Sequence, residues 1–269
     1  MTSSKRPSGP GVEAERVVPY QELADSSSNA SSGKGEQVEQ MFDSIAQHYD
    51  LLNRLLSLNI DVRWRRRMVS LLPHQTALHV LDMATGTADV AIEIVRQRPD
   101  ARVTGIDLSQ QMLRKGHDKL VDEGLEFTVD LRQGKAEAIA FPDNTFDAAT
   151  VSFGVRNFED IHQGLRELCR VIRPGGRLIV LEFSRMRTFP LAQAFDLYFG
   201  RILPVIGSLG SRDSRAYRYL YESVQAFPDG KEFGKLLVNA GFVQPNWQAL
   251  TFGICTVYTA SVPSSSSSS

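Results

Sequence analysis

Short apolar runs recur along this chain, with apolar residues at helical spacing between them. Leu78 to Met83, Val103 to Asp107, Asp147 to Phe153 and Arg177 to Phe183 are such runs, and Glu126 to Leu131 is a more mixed one. Runs of this length suit strands buried on both faces of a parallel sheet. Between them, Val90 to Arg96 reads as a helix. So do Met112, Leu113 and Leu120, with Ser109 as cap and Gly124 as stop, and the series Ile161, Leu165, Leu168 and Ile172. Pro174-Gly175-Gly176 predicts a turn into the fifth strand. A last helix over Lys231 to Ala240 and two strands near 243–250 and 252–260 close the pattern. Strands alternating with helices predict an α/β fold, with right-handed crossovers and a ligand site outside the carboxyl ends of the strands.

Two stretches break this rhythm. Ahead of the first strand, Val38, Met41, Phe42, Ile45 and Ala46, then Leu55, Leu56 and Leu58, then Trp64 to Leu72 predict two or three helices. Arg63, Arg65, Arg66 and Arg67 read as a solvated face of the last of these, in preference to a lipid-headgroup patch. Residues 184–229 begin with a dense apolar stretch, Phe195 to Leu209, and continue with Arg212, Arg215, Tyr217, Arg218, Tyr219 and Tyr221. We read them as a helical cover over the site. Residues 1–35, rich in Ser, Gly and Pro, and the serine tail at 263–269 are expected to be disordered, leaving one domain over 36–262.

Candidate chemistry centres on the end of the first strand, Asp82-Met83-Ala84-Thr85-Gly86-Thr87-Ala88-Asp89. Strand, small-residue turn and helix form the opening unit of nucleotide-binding sheets, because the backbone must approach its ligand closely. Asp107 ends the second strand about 20 residues later, where an acid can accept the hydroxyls of a ribose. A dinucleotide would call for G-x-G-x-x-G, and this turn holds Gly86 alone, with Asp89 at the helix start set against phosphate. An adenosine ligand with a cationic centre and no phosphate fits better, and S-adenosylmethionine is such a ligand. Thr87, Asp107, Lys135-Ala136 and Ser152-Phe153-Gly154 all fall at carboxyl ends of strands and converge on one crevice.

Composition narrows this further. A net charge of -1 gives no reason to expect nucleic acid as a partner. Cys169 and Cys255 make neither a disulfide framework nor a ligand set, so both are expected to be buried spectators in a reducing compartment, and no metal site is expected. Without a membrane-length apolar run or a leader-like start, the expectation is cytoplasmic.

The quoted turn resembles the class I S-adenosylmethionine-dependent methyltransferases. So do Ile106 to Leu113, Ser152-Phe153-Gly154-Val155-Arg156-Asn157 and Arg173 to Arg177. Phe42 to Asp50, Leu181-Glu182-Phe183-Ser184 and Ser214 to Ser223 are similar to the branch that C-methylates demethylmenaquinone and related quinone precursors. The resemblance implies a Rossmann-like, mostly parallel seven-stranded sheet with helices on both faces and an N-terminal plus inserted helical cover. It implies cofactor contacts at Gly86, Thr87, Asp107, Lys135, Ala136 and Ser152, and catalytic roles for Arg156, Asn157 and Tyr49, with Tyr217 also in the pocket. Ala88 departs from the family's usual glycine, which suggests a slightly looser cofactor fit. The implied reaction converts demethylmenaquinol to menaquinol. The alternative acceptor is a ubiquinone-type benzoquinol precursor or another small phenolic or lipid molecule. A prenylated quinol implies transient membrane-surface contact, here assigned to Phe195 to Leu209, and the oligomeric state stays open, a homodimer included. A non-catalytic S-adenosylmethionine-binding scaffold and a nicotinamide oxidoreductase are the weaker readings.

Overall fold

The computed structural model describes residues 34–45, 60–185 and 214–264. Among these described residues seven strands form one sheet: β1 (His79–Met83), β2 (Arg102–Asp107), β3 (Val129–Gln133), β4 (Phe146–Ser152), β5 (Ile172–Phe183), β6 (Val243–Leu250) and β7 (Cys255–Ser261). Their spatial order is β3-β2-β1-β4-β5-β7-β6, parallel except that β7 runs antiparallel between β5 and β6. The chain leaves β1 towards β2 and β3, then returns to pair β4 on the other side of β1. A crevice therefore opens between β1 and β4 at their carboxyl ends.

Helices α1 (Lys34–Ile45), α2 (Ile60–Val69), α3 (Asp89–Gln97), α4 (Gln110–Glu123), α5 (Ile161–Val171), α6 (Ser214–Ala226) and α7 (Lys231–Asn239) accompany the sheet. Alternate residues of each strand face opposite layers. Leu81 and Met83 join Leu165, Leu168, Phe233 and Leu237 on the α5 and α7 face. Leu78 and Val80 join Trp64, Met68, Ile94 and Leu120 on the α2, α3 and α4 face. The long apolar strand runs are the consequence, since neither face of the central strands meets water.

Helix α4 starts and stops where expected. The Ser109 hydroxyl accepts from the Met112 N–H, and Gly124 closes the helix at φ 67°. Two expectations shift. The third strand begins at Val129, because Thr128 and Val129 both donate to the Leu125 carbonyl and hold 125–129 in a turn that leaves Phe127 92% exposed. The expected turn at Pro174-Gly175-Gly176 is instead a bulge within β5. Pairing moves from Phe146↔Ile172 to Ala148↔Arg177, and Gly175 N–H and Gly176 C=O bond Val262 at the end of β7. Any Cβ at Gly176 would lie 2.7 Å from the Asp147 carbonyl oxygen, which explains the glycine.

Tyr49, the segment Phe195 to Leu209, most of the 184–229 cover and the terminal tails lie outside the described residues, as does the Tyr217 side chain within α6.

Candidate active site

The turn between β1 and α3 is wound tightly. Ala84, Gly86 and Ala88 all have positive φ, at 57°, 56° and 64°. Such a conformation costs an alanine about 1–2 kcal/mol, so packing must hold it in place. Part of the hold comes from Asp82, a buried acid within an otherwise apolar strand. Its carboxylate accepts from Thr85 Oγ1 at 2.6 Å and from Thr150 Oγ1 at 2.7 Å, tying the turn to β4. Burial pushes the Asp82 pKa up to about 6 against those two bonds. The rest comes from Asp107, whose two oxygens accept the backbone N–H groups of Gly86 at 2.8 Å and Ser109 at 2.9 Å. Burial raises the Asp107 pKa, and these backbone donors oppose the rise.

The turn forms one wall of a cleft with about 750 Å³ of space, its open mouth included. Small-molecule sites typically fall in the range of roughly 300–1,000 Å³. Gly86, Asp107, Lys135, Ala136, Ser152 and Asn157 all line it. Val38, Phe42, Met112, Phe153 and Phe158 supply apolar walls. Helix α1 reaches the cleft as a roof and is held by a hydrogen bond from Ser109 Oγ to Asp43. Close approach at the floor explains Gly154, where a Cβ would fall 2.4 Å from that of Ala84. Lys135 is half exposed and lies 3.8 Å from Glu159.

Two implied contacts are not on the cleft wall. Thr87 is buried behind the turn, where its hydroxyl accepts from Lys119 Nζ at 2.8 Å. Arg156 is buried in an ion pair with Glu182 at 2.6 Å. Asn157, its neighbour in the short 3-10 turn Val155–Asn157, does face the cleft, and its Oδ1 accepts from Tyr219 on α6 at 2.9 Å.

The methyl of Ala88 bears on cofactor fit only indirectly. Ala88 is fully buried against Gly116 of α4 rather than on the cleft wall, so the departure from glycine costs backbone strain and not ligand space. The charge of Asp89 likewise faces away from a ligand, paired with Lys119 at 2.8 Å and near Arg65 at 3.4 Å. The argument against phosphate therefore rests on the single glycine and not on Asp89.

Asp82, Lys119, Glu182 and Tyr219 were not among the expected site residues. The two acids carried a usable signal, because each is a lone charge inside an apolar run. Lys119 carried none, since its partner lies 32 residues away, and Tyr219, though within the Ser214 to Ser223 stretch, gave no sign of its partner 62 residues away. Of the cysteines, Cys255 is buried and Cys169 half-buried. Among the described residues no group of three or more His, Cys, Asp or Glu could hold a metal ion.

The cleft fits S-adenosylmethionine on the donors and spaces present. Asp107 lines the cleft with a carboxylate whose acceptor capacity is only partly taken by backbone N–H groups, and Met112, Phe158 and Ala136 offer apolar surface for a base. The space beside Gly86, empty of atoms within 4 Å of a Cβ position, admits a ligand against backbone.

The model of the ubiE/COQ5 methyltransferase family matches residues 30–261. A demethylmenaquinone methyltransferase of Bacteroides fragilis is 41% identical over 246 residues, covering 91% of this chain and 97% of the relative. A ubiquinone/menaquinone biosynthesis C-methyltransferase UbiE of Geobacter sulfurreducens is 45% identical over 227 residues, covering 84% and 88%. Among solved structures, the [4+2]-cyclase SpnF matches with a TM-score of 0.62 at 18% identity, over 87% of this chain and 98% of that one, and so shares the fold.

Proposed function

The chain belongs to the ubiE/COQ5 methyltransferase family, and we propose that it C-methylates demethylmenaquinol to menaquinol with S-adenosylmethionine. The observation that carries this reading is the cleft itself. It joins a left-handed small-residue turn, the Asp107 carboxylate and the Ser152 to Asn157 strand end in one space. The relatives' names supply the acceptor.

When bound, S-adenosylmethionine would supply a methyl from its sulfonium to a ring carbon made nucleophilic by ionisation of the ring hydroxyl, the S–C electron pair staying on sulfur, with the displaced ring C–H proton returning to that oxygen so that one proton is released to water overall. In this reading Gly86, Asp107, Lys135, Ala136 and Ser152 hold the cofactor, and Thr87 supports the turn from behind. Asn157 on the cleft wall and Arg156 behind it hold the ring oxygen or a water, and Tyr49, outside the described residues, keeps the catalytic role that the resemblance implies. Positioning two reactants in this way is worth ~7–11 kcal/mol of barrier. Transient contact with the bilayer belongs to the same proposal, since a prenylated acceptor resides there. Among the described residues no helix is long and apolar enough to cross a membrane.

The test is incubation with labelled S-adenosylmethionine and a panel of demethylated naphthoquinols and benzoquinols, read by mass spectrometry. We expect methyl on the naphthoquinol ring carbon. Transfer to a benzoquinol alone would replace the acceptor, and no transfer to any quinol would refute the reading. In parallel, Asp107→Asn should weaken cofactor binding about tenfold or more by calorimetry, because a charge-assisted hydrogen bond is lost.

A further inference from the structure

Glu182 is a carboxylate with no exposed surface, and it sits beside Arg156, whose side chain is 8% exposed. Its bonds to Arg156 are one-sided. Arg156 Nη1 donates to Glu182 Oε1 at 2.6 Å and to the Phe153 carbonyl at 2.7 Å, and the Arg156 backbone N–H approaches Glu182 Oε2 at 3.5 Å. The Phe183 N–H donates to Glu182 Oε1 at 2.8 Å, which fixes the carboxylate on β5. Two strong bonds thus converge on a single guanidinium nitrogen.

The opposite edge is left over. Arg156 Nε is buried and has no hydrogen-bond partner among the described residues. A buried donor without a partner costs about 1–3 kcal/mol, more when charged, so it calls for an explanation. The guanidinium lies 5.6 Å over the Phe183 ring, and that ring stacks at 4.4 Å on Phe153, which lines the cleft. Phe153 itself takes φ 55°, a conformation a bulky residue adopts only when the surroundings enforce it. The guanidinium that carries the orphaned donor therefore lies directly behind the cleft wall, joined to it through the Phe183 and Phe153 rings.

We propose that Glu182 is a positioning residue for methyl transfer: by holding Arg156 through Nη1 it leaves the Nε–H edge to bind the acceptor's ring oxygen as that oxygen becomes an anion. This rests on the quinol methyltransferase reading above. The guanidinium edge bearing Nε presents parallel N–H groups, which match an oxyanion better than an ammonium does. A donor already in place stabilises charge that develops during the reaction without reorganisation. Glu182 itself touches no substrate, being enclosed by Arg156, the Phe183 backbone and the sheet.

The experiment uses the full chain, S-adenosylmethionine and a short-chain demethylnaphthoquinol. We expect Glu182→Gln to lower kcat at least about tenfold while KM for S-adenosylmethionine stays within about twofold. Arg156→Lys, which keeps the charge and loses Nε, should fall to a similar kcat. The double variant should be no slower than either alone, because the two residues act as one unit. Glu182→Asp, which keeps the charge, should recover part of the loss. In Glu182→Gln and Arg156→Lys the kcat should climb towards high pH, as the acceptor hydroxyl ionises without help, which a merely structural role would not produce. Wild-type kcat in Glu182→Gln, or losses that multiply in the double variant, would overturn the proposal. So would an unchanged pH profile. Should Glu182→Gln fail to fold by near-ultraviolet circular dichroism, Arg156→Lys decides alone, and wild-type kcat there refutes it. A wild-type enzyme inactive on every quinol removes the underlying reading and this inference with it, whereas an active wild type with unaffected variants removes the inference only.

Discussion

Asp82 and Glu182 are single acids set into apolar strands, and both are buried. Burial raises the pKa of each, with Arg156 pulling Glu182 back down and two hydroxyls doing so for Asp82. For Asp82 the consequence has a definite sign. Its carboxyl is pushed up to about 6 in the folded protein, against an ordinary value of 3.8. Below 3.8 both states hold the proton. Between 3.8 and about 6 the unfolded chain releases it first, so stability falls as pH rises through that window and levels off above it. At about 1.4 kcal/mol per pH unit the loss amounts to roughly 3 kcal/mol. Asp82→Asn keeps an acceptor for one threonine, offers an N–H to the hydroxyl oxygen of the other, and removes the titration. Urea unfolding from pH 4 to 7 should therefore show the variant gaining on the wild type by up to about 3 kcal/mol as pH rises. A constant difference across that range would show that Asp82 ionises normally in the fold.

The strands β1, β2 and β4 and the helices over 89–123 could be read from the chain nearly to the residue, because each is governed by local rules: apolar runs, Ser109 as cap, Gly124 as stop. Their mutual grip could not be read that way. Ser109 does two jobs, accepting from Met112 N–H at 3.1 Å as the α4 cap and donating to Asp43 to hold α1 over the cleft. Removing the cap costs about 1 kcal/mol. We expect Ser109→Ala to lose that much stability in chemical denaturation and, in calorimetry, to bind S-adenosylmethionine several-fold more weakly because the α1 roof loosens. Lost stability with unchanged affinity would mean that α1 is held by other contacts. The bulge at Gly175 and Gly176 has the same lesson, for a local turn signal was absorbed into a strand once β4 and β7 were there to pair with it.

At the scale of the whole molecule, the proposed acceptor sets a requirement of its own. If it is a prenylated quinol held in the bilayer, the proposal places the enzyme at the membrane surface, and the apolar stretch Phe195 to Leu209, outside the described residues, is the segment whose composition suits an interfacial role. Burying a Phe or Leu side chain is worth about 1.5–3 kcal/mol. Replacing Phe199 and Leu203 together with Asp should therefore lower partition onto anionic liposomes by more than about tenfold in flotation. Circular dichroism and cofactor affinity should not change. An unchanged bound fraction would place the contact elsewhere.

The α/β class, the parallel core of the sheet, the turn at Gly86, the acid at Asp107 and the strand ends at Lys135, Ala136 and Ser152 can be read from the chain alone. All of these follow from periodicity, backbone demands or the ends of strands, which are local properties. Tertiary structure decided what each side chain does there. It turned Thr87 away to Lys119, buried the Ala88 methyl against Gly116, paired Asp89 with Lys119, and spent Arg156 Nη1 on Glu182. Those outcomes depend on contacts between residues far apart in the chain, where burial makes an unpaired charge costly and so fixes which partner it takes.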